Sequence, residues 1–277
     1  MIRLLHIEFI KLWNNRASKV LIIAYFVLLT LIALIAAIKF DIGPIKFHLA
    51  EMGIFNFPYI WHFNTFISAF FKLFLAIVIV SMMANEYSNK TIKQNLIDGL
   101  SKKEFILSKF LTVVSFAFIS TLFVFIVSLI LGLAYSDYTD ISIIFSDLEF
   151  VLAFFLKLIG FFAFCMFLGI LVKRSAFALG FLILWQGFEG FIRGMIRWKL
   201  FDGETTDAIM GFFPLNSMWN LIKEPFSRLG AVQSVAKQVG EKIALNYHVN
   251  WYEPLIVLSW TAIFVYLSYA LLKKRDL

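Results

Sequence analysis

Long runs of Phe, Leu, Ile and Val alternate with short polar stretches along the whole chain. The first apolar run, Val20 to Ile38, has the length of a bilayer span. Further runs cover about Trp61–Met83, Phe110–Tyr135, Val151–Val172, Ala176–Ile192 and Pro254–Leu272. This pattern predicts an all-α integral membrane protein with six transmembrane helices and both termini on one side. The first run is too long for a signal-peptide core and is followed by no A-x-A cleavage pattern, so it reads as a retained span. Ahead of it, Ile2, Leu5, Phe9, Leu12 and Trp13 fall on one face at helical spacing, interleaved with Arg3, Lys11, Arg16 and Lys19. Residues 1–19 therefore predict an amphipathic helix lying on the membrane surface.

Composition agrees. Of 277 residues, 61% are hydrophobic and only 16% charged, and the mean hydropathy is +0.85. A soluble domain of this length exposes far more charge. The net charge of +7 gathers at span ends, so it reports membrane topology, and the chain carries no nucleic-acid module. Lys90, Lys93, Lys102, Lys103 and Lys109 follow the second run, Lys173 and Arg174 follow the fourth, and Lys273, Lys274 and Arg275 follow the last. One opposite loop holds only Lys39 and Lys46, and the other is acidic, with Asp137, Asp140, Asp147 and Glu149. The positive-inside rule puts both termini and the loop 84–109 in the cytoplasm. The chain reads as one transmembrane unit over 1–277, with no internal repeat. A long external segment, 193–253, carries Leu229, Val232, Val235, Val239 and Ile243 at helical spacing. It predicts one or two short helices capping that face.

The loop 84–109 is polar between two apolar walls. Thr91 to Ile97 suits a short helix, Asp98-Gly99 a turn, and Ser101-Lys102-Lys103-Glu104 a capping box that starts the third span. It is a shaped surface, and on loop physics alone it is equally a well-capped connector.

Three ionisable residues fall inside spans: Lys72, Lys157 and Glu189. Each is costly in lipid and calls for protein, water or a polar partner. Lys157 and Glu189 flank the Lys173-Arg174-Ser175 turn, 17 residues before and 15 after Arg174. At about 1.5 Å per residue, their depths differ by about 3 Å. They are candidates to pair, either as a gate or substrate contact or as a structural clip. Lys72 either faces a central pathway or bonds a carbonyl on a neighbouring helix. Arg193, Arg197 and Lys199 suit interfacial anchoring, with contact to an anionic group as the other reading. Gly160, Ala163, Cys165 and Gly169 give the fourth span a small surface for close helix packing. Cys165, the single cysteine, reads as a small buried hydrophobe. His6, His48, His62 and His248 form no metal-ligand spacing, and no catalytic Ser motif occurs, so metal sites and enzyme chemistry are not expected.

The segment "NEYSNKTIKQNLIDGLSKKEFILSK" resembles the first cytoplasmic loop of ABC-2 type permeases, the membrane subunits of type II ABC exporters. Glu86, Thr91, Gly99, Ser101, Lys102 and Lys109 occupy that family's pattern positions, and Lys90 stands where many members have Gly. The surface helix, the six spans, the long external segment and the basic C-terminus fit the same family. The resemblance implies a loop that docks on a separate ATP-binding subunit, through Glu86, Thr91, Gly99, Ser101, Lys102 and Lys103. It also implies a second permease copy and a bacterial cytoplasmic (inner) membrane. The chain has no G-x-x-x-x-G-K-[ST] phosphate loop, so ATP would be bound by the partner and no cofactor by this chain. A membrane sensor or accessory protein using the same loop is the alternative of a different class.

Overall fold

The computed structural model describes residues 1–37, 40–42, 45–47, 53–138, 140–199, 202–229, 232–233 and 246–275. The chain is an all-α integral membrane protein built around one central helix. Helix α1 (Ile2–Asn14) precedes α2 (Arg16–Ala37), the first span. A short antiparallel hairpin of β1 (Phe40–Ile42) and β2 (Ile45–Phe47) follows, pairing Asp41 with Lys46. Then come α3 (Tyr59–Phe70), α4 (Lys72–Ser88), α5 (Thr91–Ile97) and α6 (Lys102–Tyr135). After the single turn α7 (Ile141–Ile144), α8 (Glu149–Val172) and α9 (Ser175–Lys199) form an antiparallel pair. The chain continues through α10 (Gly203–Met210), α11 (Pro214–Asn220) and a 3-10 turn (Phe226–Arg228), and ends in α12 (Tyr252–Lys274).

Five of these helices are long and apolar enough to cross a membrane, and α3 with α4 makes a sixth span if the bent pair is counted as one. The expected span Trp61–Met83 is thus corrected: it is broken, and its halves are bent by 45°. No Pro or Gly causes the bend. The Phe71 N–H bonds Ser68 O and the Phe74 N–H bonds Phe71 O, both at 3.1 Å, so tight three-residue turns interrupt the regular ladder. The helix of the third span starts at Lys102, ahead of the apolar run from Phe110, as its capping box predicts: Ser101 Oγ accepts from the Glu104 N–H (3.1 Å) and Glu104 Oε2 accepts from the Ser101 N–H (3.0 Å). At 34 residues, α6 is about 50 Å long, well beyond the roughly 30 Å hydrocarbon core.

Helix α8 is the hub, packed by α3, α4, α6, α9 and α12. Seventy-two per cent of its most apolar window is buried, against 17% for α2 and for α9. Its small residues do what their spacing predicts. A Cβ on Gly169 would come within 2.7 Å of Met83 Cβ and 3.2 Å of Val80 O, and one on Gly160 within 2.9 Å of Val257. Cys165 is buried beside them. The apolar face expected on α1 is rotated. Leu12 and the half-buried Leu4, Leu5 and Phe9 face the bundle, whereas Ile2 and Trp13 point outward. The helical repeat expected from Leu229 to Ile243 lies mostly outside the described residues.

Candidate coupling site

Both ends of the chain meet the loop 84–109 at one end of the bundle. On the N-terminal side, four charged residues from three helices converge. Lys109 Nζ of α6 donates to Glu8 Oε2 of α1 and to Glu86 Oε1 of α4, each at 2.5 Å. Lys11 Nζ reaches the same Glu86 oxygen at 3.0 Å and Glu8 Oε1 at 3.2 Å. Thr91, the first residue of α5, donates its hydroxyl to Glu86 Oε2. Two carboxylates and two ammoniums make the cluster electrically neutral, which is the condition for burying it. Lys109 is wholly buried, and Glu8 and Glu86 nearly so. Lys11 sits at the rim. Burial by itself would lower its pKa, but the Glu8 and Glu86 carboxylates outweigh that and hold it above 10.5. Beside the cluster lies a cavity of about 470 Å³ between α1, α4 and the start of α5.

On the C-terminal side, Arg275 reaches under the loop. Its guanidinium donates to Ile170 O (2.5 Å) and Leu171 O (3.1 Å), satisfying carbonyls in the last turn of α8, and to Tyr87 Oη (3.1 Å). Lys102 Nζ in turn donates to Lys273 O (3.3 Å) and Arg275 O (3.0 Å). The loop is therefore pinned from both termini.

Two backbone positions shape it. Gly99 has φ +97°, which requires a residue without a Cβ penalty. Lys90 has φ 54° and follows the end of α4, the position where a helix commonly stops on Gly. A glycine would adopt that geometry freely, and here a lysine bears the strain.

The sequence-derived docking set divides accordingly. Gly99, Ser101 and Lys103 are exposed. Glu86 is buried and Thr91 turns its hydroxyl inward, so neither presents its polar group to an outside partner, and Lys102 spends its ammonium on the C-terminal tail. Sequence reasoning missed Glu8 and Ile97. Glu8 is an acid between Leu5 and Leu12 on an otherwise apolar helix face, a signal legible in the sequence. Ile97 stands 69% exposed at the end of α5, an apolar knob among polar neighbours.

The intramembrane charges do not assemble as a pair. Glu189 Oε1 accepts from Trp185 Nε1 (2.8 Å) and the Leu215 N–H (3.1 Å), and its Oε2 from the Asn216 N–H (2.9 Å) and Nδ2 (3.2 Å). Lys157 Nζ donates to Trp219 O at 3.2 Å. The expected Lys157–Glu189 contact is thus replaced by contacts to opposite ends of α11. Among the described residues Lys72 bonds no carbonyl; its ammonium lies 4.4 Å from the Phe161 ring and 5.9 Å from that of Trp219. Arg193 pairs with Asp207 at 2.5 Å. Among the described residues no cluster of His, Cys, Asp or Glu has the geometry to hold a metal.

The sequence matches the family model described as "ABC-2 family transporter protein" over residues 4–277, and the chain belongs to that family. No curated protein matches it.

Proposed function

We propose that the chain is the permease subunit of an ATP-binding cassette exporter, driven by a separate ATP-binding subunit docked on the loop 84–109. One observation carries this reading. The short helix α5 is not a free connector but is tied through Thr91 to Glu86, and through Glu86 to Lys109 and α1. A displacement of α5 is thereby passed to two spans and the surface helix together. Lys93, Ile97, Gly99, Ser101 and Lys103 offer the partner an exposed face. ATP-driven closure of the partner would then shift the population between access states by its differential binding to them.

A second permease copy completes the unit. Helix α9 turns Gly180, Gly187 and Gly194, seven residues apart, away from its own bundle, where an added Cβ would meet nothing within 4 Å. A face of that kind suits close approach of another membrane helix. The basic ends of the spans support a cytoplasmic side for α5, and the proposed setting is a bacterial cytoplasmic membrane.

Purification of the tagged chain from its native membrane tests the reading. A stoichiometric ATP-binding subunit is expected with the wild type and is expected to be lost from Ile97→Asp combined with Lys103→Glu. A correctly inserted chain that carries no such subunit would transfer the protein to the sensor class.

A further inference from the structure

The break in the second span, the two lysines beside it and one tryptophan form a second constellation, remote from the loop 84–109. Helix α4 begins at the break, 13 residues in from Tyr59, and its N-cap residue Phe71 supplies no side-chain cap. A 17-residue helix that starts inside the bilayer presents the positive end of its dipole there. Its first residue is Lys72. Across from it on α8, Lys157 is 1% exposed and places its ammonium 5.3 Å from the Trp219 ring. Trp219 therefore lies beside both ammoniums.

These charges have no counter-charge among the described residues. Neither lysine forms an ion pair. Glu189, the acid in the neighbouring span, has four donors of its own. An ammonium has three protons; Lys157 uses one, on Trp219 O, and Lys72 has only aromatic faces. Lys72 is partly buried, and aromatic faces return only a part of the hydration that its ammonium gives up. The contrast with Lys109 is direct: that lysine, as buried as Lys157, is matched by two carboxylates. The surroundings are apolar. Phe66 and Phe70 edge onto Trp219, and Phe70, Leu73 and Trp219 are 49%, 51% and 43% exposed.

We propose that Lys72, Lys157 and the N-terminus of α4 bind the anionic head group of an amphiphile, with Trp219, Phe70 and Leu73 against its apolar part. Half-helix N-termini at membrane depth are suited to anionic groups. As a substrate site this rests on the permease reading; as a binding site it stands on the two lysines.

The test is calorimetric titration of the full-length chain, purified in a neutral maltoside detergent. The probes are dodecyl phosphate, dodecyl phosphocholine and inorganic phosphate. Dodecyl phosphate is expected to bind the wild type. Lys72→Gln is expected to weaken it at least about tenfold, and Lys72→Arg to keep most of the affinity. Among the described residues Lys72 bonds no backbone group, so Lys72→Gln is the first variant; Lys157→Gln is the second, and each is read only where its thermal midpoint is intact. Binding of dodecyl phosphate without inorganic phosphate assigns a lipid-like source. Lysine-dependent binding of both assigns a free anion in an aqueous path. The proposal is overturned if neither anion binds, if dodecyl phosphocholine binds as tightly as dodecyl phosphate, or if folded Lys72→Gln binds like wild type. The titration needs no ATP-binding subunit. Lysine-dependent binding in a chain that captures no such subunit would sink the permease reading alone, and capture without binding would sink only this site.

Discussion

Lys157 and Glu189 hold opposite ends of one short helix. The Glu189 carboxylate accepts the Leu215 and Asn216 N–H groups at 3.1 and 2.9 Å, and the Lys157 ammonium donates to Trp219 O at 3.2 Å. A helix N-terminus carries unpaired donors and its C-terminus unpaired acceptors, so an acid at one end and a base at the other complement both. This lets α11 lie against α8, α9 and α12 at membrane depth, where unsatisfied backbone would be costly.

The first prediction follows from that arrangement. Glu189→Gln replaces one of two acceptor oxygens with a donor that faces N–H groups. It should cost about 2–4 kcal/mol, the scale of a lost charge-assisted bond plus an unsatisfied group. The thermal unfolding midpoint in detergent checks it, and an unchanged midpoint would show that Glu189 does not hold α11.

The neutral cluster predicts strong non-additivity. Lys109→Met leaves two buried carboxylates facing one rim lysine and should cost about 3–5 kcal/mol. Adding Glu86→Gln removes the orphaned charge and leaves Glu8 with Lys11, 3.2 Å apart. The double variant should therefore be more stable than Lys109→Met alone. A double-mutant cycle measures this, and additive losses would mean that the four groups do not act as one unit.

At the bend after α4, Lys90→Gly should relieve a left-handed backbone that an L residue adopts at a cost, giving about 1 kcal/mol of local stability. Gly99→Ala, at φ +97°, should lose a similar amount. Hydrogen exchange over 88–101 reads both, with slower exchange expected for the first and faster for the second.

Lys11 sets a pH dependence for the docking of α1. Its folded pKa lies above 10.5 because Glu8 and Glu86 outweigh its burial. The contribution is therefore complete below 10.5 and declines only as the pH rises through the folded value. Half-exposed as it is, Lys11 gives a modest effect. Proteolysis of the N-terminal segment should stay slow through neutral pH and quicken in strong alkali, and Lys11→Met should flatten that rise. Onset near neutrality would contradict it.

The linear chain showed what depends on local pattern: the membrane class, six apolar runs, the termini on one side and the short helix, turn and capping box of 84–109. Those features rest on length, periodicity and neighbours a few residues apart, and the Ser101–Glu104 cap formed as its spacing predicts. It also marked Lys72, Lys157 and Glu189 as residues that need partners. Which partners they take was decided only in three dimensions. Spacing from the Lys173–Arg174 turn suggested similar depths for Lys157 and Glu189, but a segment distant in sequence, 214–220, offered backbone groups to each. Glu86 and Thr91 looked like surface on the linear chain, yet they face inward because Glu8, 78 residues earlier, and Lys109 complete their charge balance. The 45° bend at Phe71 left no Pro or Gly to read. Local propensity is written in adjacent residues, whereas charge neutralisation and packing are settled among groups that meet only when the chain has folded.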